Sequence, residues 1–412
     1  MQPNHEIESK EDLLSHFGSS KQLEILDQEQ MENLLEMDIP PEVWEDASNR
    51  NLVSFSQEFV LETKEFEFNN RGLQYIHLVS FITNLTELNL SGNKISDISA
   101  ISQLKNLKKL YLGSNRIKDI SELQSLLNLT HLQLYENKLT SYTLALPSLE
   151  VLSIYSNPLQ DKSGLQHSPK LQRLNLSETQ TTDLRTIPPQ LFGLKKIYLQ
   201  SNNITEISYL SNFVGLQILD LGENKQLSNI GPLKFCTQLT QLTISRTNIA
   251  DIWPLQFMIN LKTLEMHQTK VVDLHPLQYL YKLQGIYAKD ARIIDVSPLS
   301  KLTQLQNLSI WNNKITNAET LKHPNNFSEY DFSNQKVPTT DELKFYNKIL
   351  YVHSSQKQIK KLQNDSKVSK LRTSLTQKKN YVSTMLNNQI MMVNKEVDML
   401  MQFIQNSTSY LD

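Results

Sequence analysis

Cysteine is all but missing from this chain: Cys236 is the only one in 412 residues, which excludes an intramolecular disulfide framework. No apolar run approaches the roughly 20 residues that a bilayer-spanning helix needs, and Met1 to Leu14 lacks the apolar core of a secretory signal. These absences lead to the reducing cytoplasm as the expected compartment. An excess of either charge is also missing, with 41 Lys+Arg against 43 Asp+Glu and a net charge of -2. The overall balance therefore does not imply nucleic acid as a partner. No phosphate-binding loop of the Gly-x-x-x-x-Gly-Lys type is present, so no nucleotide cofactor is expected. What is present is ordinary for a soluble globular chain, with 39% apolar and 20% charged residues and ample length for a large core.

The chain is rich in one thing, periodic leucine. It returns at Leu85, Leu107, Leu129, Leu149, Leu171, Leu194, Leu216, Leu239, Leu261, Leu283 and Leu305. Within a step the order repeats, as in Leu85-Thr86-Glu87-Leu88-Asn89-Leu90-Ser91-Gly92-Asn93-Lys94-Ile95-Ser96-Asp97-Ile98. Leu88 and Leu90 alternate with polar Glu87, Asn89 and Ser91, the period of a short half-buried strand. Each unit is expected to turn at its ninth position, which is asparagine at Asn93, Asn115, Asn137, Asn157, Asn202, Asn224 and Asn313. An inward amide there can satisfy backbone groups that a turn cannot pair within itself. Thr179, Thr247 and Thr269 stand in for it, and Ala291 cannot, so the Ala291 rung is expected to be looser or to hold a water. Pro in Ile230-Gly231-Pro232-Leu233, Ile252-Trp253-Pro254-Leu255, Leu274-His275-Pro276-Leu277 and Val296-Ser297-Pro298-Leu299 favours a short extended or 3₁₀-like return segment over a long helix.

These units resemble the leucine-rich repeat in its 22-residue form, over about two-thirds of the chain. The resemblance implies an α/β repeat solenoid: an arc with a concave parallel β-ladder, flanked here by helical N- and C-terminal segments. No unit buries its apolar face alone, so stacking supplies the core. A degenerate unit is expected to begin near Thr63, with Phe66, Phe68, Leu73 and Ile76 in register, and Phe327 opens a partial last one. With strands about 4.8 Å apart, some twelve rungs give a ladder roughly 55 Å long, the scale of a protein partner. Units reading Asp97-Ile98-Ser99, Asp119-Ile120-Ser121 and Asp295-Val296-Ser297-Pro298-Leu299 look most like two groups, the cytosolic repeat regulators of type-1 protein phosphatase and the bacterial internalins. In the first group the concave face holds the phosphatase catalytic subunit, and in the second a host receptor.

Three regions are expected. Residues 1–62 hold 15 Asp+Glu against 3 Lys+Arg and form an acidic, partly helical cap or a docking arm for a basic partner. Residues 63–338 are the repeat domain, of about twelve units. Residues 339–412 open with a capping box, Thr339-Thr340-Asp341-Glu342, and form a helical extension. Within it Leu386, Ile390, Val393, Val397, Leu400 and Ile404 have coiled-coil spacing, which makes 366–404 a candidate for self-association or for packing on its own chain.

Function has to be read from the solvent-facing strand positions, because a leucine-rich scaffold hosts many roles. Those positions contribute Tyr111, Tyr135, Tyr155, Tyr198, His267, Tyr287 and Trp311, among Arg246, Glu265 and other charged residues. Aromatic and arginine side chains on an exposed ladder are what interface hot spots are made of. A catalytic reading of Ser245, His267 and Asp290 on consecutive rungs fails on the absence of an oxyanion site in a flat, open ladder. Glu265 and His267 lack third and fourth ligands for a metal. The expected function is a non-enzymatic protein-binding scaffold or adaptor, with a protein phosphatase catalytic subunit as one specific partner. The alternative is a structural, cytoskeletal assembly protein that acts through its tail.

Overall fold

The computed structural model describes residues 64–76, 79–80, 82–321 and 329–337. They fall in the first of the chain's two units, Met1–Pro338. The acidic segment 1–62, Phe327, the extension 339–412 and its coiled-coil-like stretch 366–404 lie outside the described residues.

Thirteen strands form one sheet whose order is the order of the chain. They run from β1 (Glu65–Glu67) and β2 (Glu87–Asn89) to β12 (Asn307–Ser309) and β13 (Glu329–Asp331), each three residues long. All pairings are parallel, and the repeat sets the register: Leu110 stands between Leu88 and Leu132, and Leu219 between Ile197 and Leu242. The degenerate first unit joins this pattern, with Phe66 paired to Leu88 and with Leu73 and Ile76 buried. Along each strand from β2 to β12 the central residue points inward, and the next apolar residue but one, as in Leu110 and Leu112, is also fully buried. The core is a continuous column of these leucines and isoleucines stacked rung on rung.

The strands end where they do because the eighth residue of each unit turns into the left-handed region. Ser114, Glu136, Ser156, Glu178, Ser201, Glu223, Arg246, Gln268, Asp290 and Asn312 all have φ between 51° and 60°. The turn thus pivots one residue earlier than expected, and the ninth residue is delivered to the interior. There Asn115 accepts from the Ile95 N–H at 3.0 Å and donates to the carbonyls of Leu90 and Leu112 at 3.0 and 3.1 Å. One amide therefore ties its own turn to the preceding rung, as buried polar groups require. The threonines do only half of this: Thr247 and Thr269 donate to their own turns, at Ile244 and Met266. Gln335 in the last rung fills the asparagine role, accepting from the Ile315 N–H and donating to Ile310 and Phe332.

The return segments are 3₁₀ helices, as the prolines predict at Gly231–Phe235, Trp253–Phe257, His275–Leu277 and Ser297–Lys301. Units without proline use them too, as at Ser99–Gln103 and Ser121–Ser125. They share a side-chain acceptor two residues before the helix, most often aspartate: Asp97, Asp119 and Asp295 accept from the N–H of Ser99, Ser121 and Ser297 at 2.7–2.9 Å, and Asn229 accepts from that of Gly231 at 2.8 Å. This bond stabilises the turn into the helix and explains the Asp-x-Ser triplets.

Candidate functional site

The strand geometry places Tyr111, Tyr135, Tyr155, Tyr198, Glu265, His267, Tyr287 and Trp311 half-exposed on the ladder, with Arg246 exposed at its edge. Two groups of them come together. Tyr135 and Tyr155, at equivalent places on neighbouring rungs, stack with ring centroids 4.8 Å apart and planes 3° from parallel. The Tyr135 ring also lies flat over Gly113 of the preceding rung, where a Cβ would come within 2.2 Å of it. Only glycine permits that approach. The second group is His267, Tyr287 and Trp311: the His267 and Tyr287 rings are 6.3 Å apart, and the Lys289 ammonium sits 4.1 Å from the centre of Trp311. Such a cation–π contact keeps a tryptophan oriented on an open surface. Tyr198 stands apart from both groups and carries the guanidinium of Arg173 over its ring at 5.2 Å. Arg246 pairs with Glu223 at 2.8 Å, and Tyr111 lies on the strand whose Lys109 bridges to Glu87 at 2.8 Å.

Burial among these groups moves their protonation. It raises the Tyr111 and Tyr155 hydroxyls, with Glu87 and Glu136 respectively adding to the shift. It also raises the Asp220 carboxyl, against the Gly222 N–H that stabilises its ionised form. His267 is pushed down, mainly by desolvation, and its Nδ1 accepts from the Lys289 backbone N–H at 3.1 Å. That bond assigns Nδ1 as the acceptor and leaves Nε2 to donate outward. Ser245 Oγ accepts from the His267 backbone N–H at 3.0 Å, and Asp290 accepts from Asn312. The side chains of Ser245, His267 and Asp290 thus form no hydrogen bond with one another, and the contact of Ser245 with His267 is to the backbone.

His275, on the return segment, behaves in the opposite sense to His267. Asp273, itself buried, accepts from its Nδ1 at 2.6 Å and raises its pKa. The charged form is therefore favoured on folding, so this pair contributes stability that is fully present below the unfolded histidine value near 6.5 and is lost as pH rises through the higher folded value. The melting-temperature deficit of His275→Asn relative to the parent chain is expected to be largest at mildly acidic pH and to shrink on the alkaline side. Comparing the two chains at each pH cancels the opposing contribution of His267. A deficit that grows with pH would refute the ion pair.

A further surface is exposed that the sequence pattern did not single out. Phe192, Val214, Phe257, Ile259, Tyr279 and Tyr281 lie on the rim that leads into the strands, with Phe192 at 78% and Ile259 at 60% exposure. Their sequence signal is an apolar residue two or four places before the periodic leucine, where other units carry polar ones such as Gln103, Lys105, Lys301 and Thr303.

Among the described residues, no helix is long and apolar enough to cross a membrane. The family model of leucine-rich repeats, two copies, matches residues 83–125 and 193–235. Of solved structures, an internalin from Listeria monocytogenes is 29% identical, with a TM-score of 0.64 over 74% of this chain and 92% of that one. A leucine-rich repeat protein of Leptospira interrogans is 23% identical, with a TM-score of 0.56 over 72% of this chain and 85% of that one. No curated protein matches the chain. Nothing in these similarities singles out the phosphatase regulators. In-register three-residue parallel strands, an inward asparagine after most of the left-handed turns, the family match and these neighbours converge: the chain is a leucine-rich repeat protein.

Proposed function

We propose that this chain is a non-catalytic protein-binding scaffold whose partner docks on the strand ladder around His267, Tyr287 and Trp311. The leucine-rich repeat fold supports protein binding in general. The observation that carries the specific reading is the aromatic row on three successive rungs, ordered by Lys289 over Trp311 and by the Lys289 N–H on His267. Side chains held in place before binding lose little entropy on contact, which is the condition for a hot spot. The Tyr135–Tyr155 stack, with Tyr111, offers a second anchor on the same face, and Arg246, Glu265 and Tyr198 supply flanking polar and aromatic contacts. The single cysteine, Cys236, is free and buried, so no disulfide calls for an oxidising environment, and the cytoplasm is the compartment proposed here. No role in the reading falls to a metal or cofactor.

The test is a comparison of proteins co-purified with the full chain and with its Tyr287→Ala/Trp311→Ala variant. Both side chains are half-exposed, so the fold should be unchanged by circular dichroism. Affinity for the ladder partner should fall by about 2 kcal/mol or more. A phosphatase catalytic subunit among the lost proteins would identify the narrower class of regulator. Equal recovery of every partner would remove this site. Removing residues 339–412 separates the alternative reading: a scaffold keeps its partner, whereas a structural protein acting through its tail loses its incorporation into assemblies.

A further inference from the structure

The tenth residue of each unit, just past the inward asparagine, is basic on the last four rungs: Lys270, Arg292, Lys314 and Lys336. Together they line one pocket of about 370 Å³. Rungs in a parallel ladder are about 4.8 Å apart, so the four cations stand in a row along the pocket. Asp290 is the one carboxylate in the lining, and it accepts a hydrogen bond from Asn312. Neither Lys270, Arg292 nor Lys336 forms a salt bridge among the described residues.

The hollow exists because the asparagine ladder fails here. Thr247, Thr269 and Ala291, which also line the pocket, occupy three consecutive ninth positions with side chains smaller than asparagine. Two backbone donors are left over. In the intact part of the array, the N–H of Ile95 and Ile117 donates to the asparagine of the next rung at 3.0 and 2.9 Å. The equivalent residues here are Ile249 and Val271, both fully buried, and among the described residues no hydrogen bond is found for the N–H of either. A buried amide without an acceptor is costly, which favours any acceptor that can reach it.

The array contains its own control. Lys94, Arg116 and Lys138 repeat the basic row on the early rungs, but there Asn93, Asn115 and Asn137 fill the ninth places and take the N–H groups of Leu73, Ile95 and Ile117. Charge is common to both rows, whereas the hollow and the free donors belong to the later one.

We propose that this pocket is an anion site for a phosphoryl group. A phosphate monoester carries close to two negative charges and three strong acceptor oxygens. It matches a pocket lined by four cations, with two buried N–H groups behind it that lack acceptors, better than a carboxylate, which brings one charge and two oxygens. Arg292 adds a planar fork suited to bidentate contact with phosphate oxygens. The pocket adjoins the Lys289–Trp311 edge of the ladder, since Asp290 and Asn312 are the next residues along the chain. A phosphorylated side chain on a docked protein would therefore reach it. That source of the ester rests on the protein-binding reading above, but the site itself does not.

The test is isothermal titration of inorganic phosphate, and separately of O-phosphoserine, into the full-length chain at constant ionic strength. Saturable one-to-one binding is expected. The variant Ala291→Asn, which should refill the hollow and take the Val271 N–H, is expected to weaken it at least tenfold while raising the melting temperature. The charge variant Lys270→Gln/Arg292→Gln/Lys336→Gln should also lose at least tenfold, and it keeps the test open should Ala291→Asn misfold. Lys94→Gln/Arg116→Gln/Lys138→Gln should bind as the parent does. Phosphoserine binding at least as tightly as phosphate assigns the site to an ester, and phosphate alone assigns it to the free ion. Absent binding, or equal affinity in the parent and all three variants, overturns the site. Because no partner is present in the cell, failure of the ladder interface cannot produce either result.

Discussion

Asn202→Ala is expected to lower the unfolding free energy by about 3–5 kcal/mol, read from the midpoint of urea denaturation. Asn202 accepts from the N–H of Thr179 at 3.1 Å and of Thr181 at 2.9 Å, and donates to the carbonyls of Leu176, Leu199 and Gln200 at 2.9–3.2 Å. The carbonyls keep other partners: Thr179 Oγ1 on Leu176, Asn224 on Leu199 and the Glu178 N–H on Gln200. The two N–H groups do not. Each buried donor left without an acceptor costs about 1–3 kcal/mol, to which the lost donor bonds add. Asn202→Thr should cost less, because a threonine at this place bonds its own turn, as Thr179, Thr247 and Thr269 do. A loss below about 1 kcal/mol for Asn202→Ala would mean that water replaces the amide without penalty, and the asparagine ladder would not be a source of stability.

Leu219→Ala is expected to cost about 2–5 kcal/mol, the range for truncating a buried leucine whose cavity cannot collapse. Leu219 is 1% exposed at the centre of the strand Ile218–Asp220, and it is sandwiched between Ile197 and Leu242 on the adjoining rungs. Stacking on both sides holds the cavity open. Its neighbour Ile218 faces the other way and is half-exposed, so Ile218→Ala should cost under about 1 kcal/mol. The contrast between adjacent residues tests the register itself: a one-residue slip would exchange the two outcomes. Equal losses at both positions would refute the inward assignment.

Much of this architecture was legible in the sequence because its cause is local and repeated. The alternation at Leu88 and Leu90 identifies the strand, and the recurrence of asparagine four residues after the strand identifies the turn. Two features resisted reading. The left-handed pivot falls on residues as unlike as Ser114, Glu136 and Arg246, so composition carries no sign of it. The 3₁₀ return segments depend on aspartate caps as much as on proline, and only the proline was read as a signal. Gln335 shows a related limit: one methylene longer, it does the work of asparagine, yet an asparagine count passes over it.

The candidate surface was partly legible. Tyr135 and Tyr155 share a repeat position, so their neighbourhood follows from the period, and their stacking follows once Gly113 leaves room. The contacts of Lys289 with Trp311 and of Arg173 with Tyr198 depend on side-chain rotamers that the strand pattern does not set. The apolar rim from Phe192 to Tyr281 lies in loops and at the end of the return helix Trp253–Phe257, outside the strand alternation that fixes a direction. The basic pocket arises from what three consecutive rungs lack. The sequence marked Thr247, Thr269 and Ala291 singly as exceptions, and only stacking joins them into one space.

The same exceptions bear on how the array carries force. Each inward asparagine clamps its rung to the one before, as Asn115 bonds both Leu112 and Leu90. From Thr247 to Ala291 those clamps are missing, and the rungs there are joined by the sheet ladder, apolar stacking and hydrogen bonds nearer the surface, such as the His267 N–H on Ser245 and the Lys289 N–H on His267. Pulled along its axis, such a spring yields first at its least cross-linked turns. The array would part into an amino-terminal block clamped through Asn224 and a carboxy-terminal block clamped by Asn313 and Gln335, making this stretch its built-in mechanical fuse.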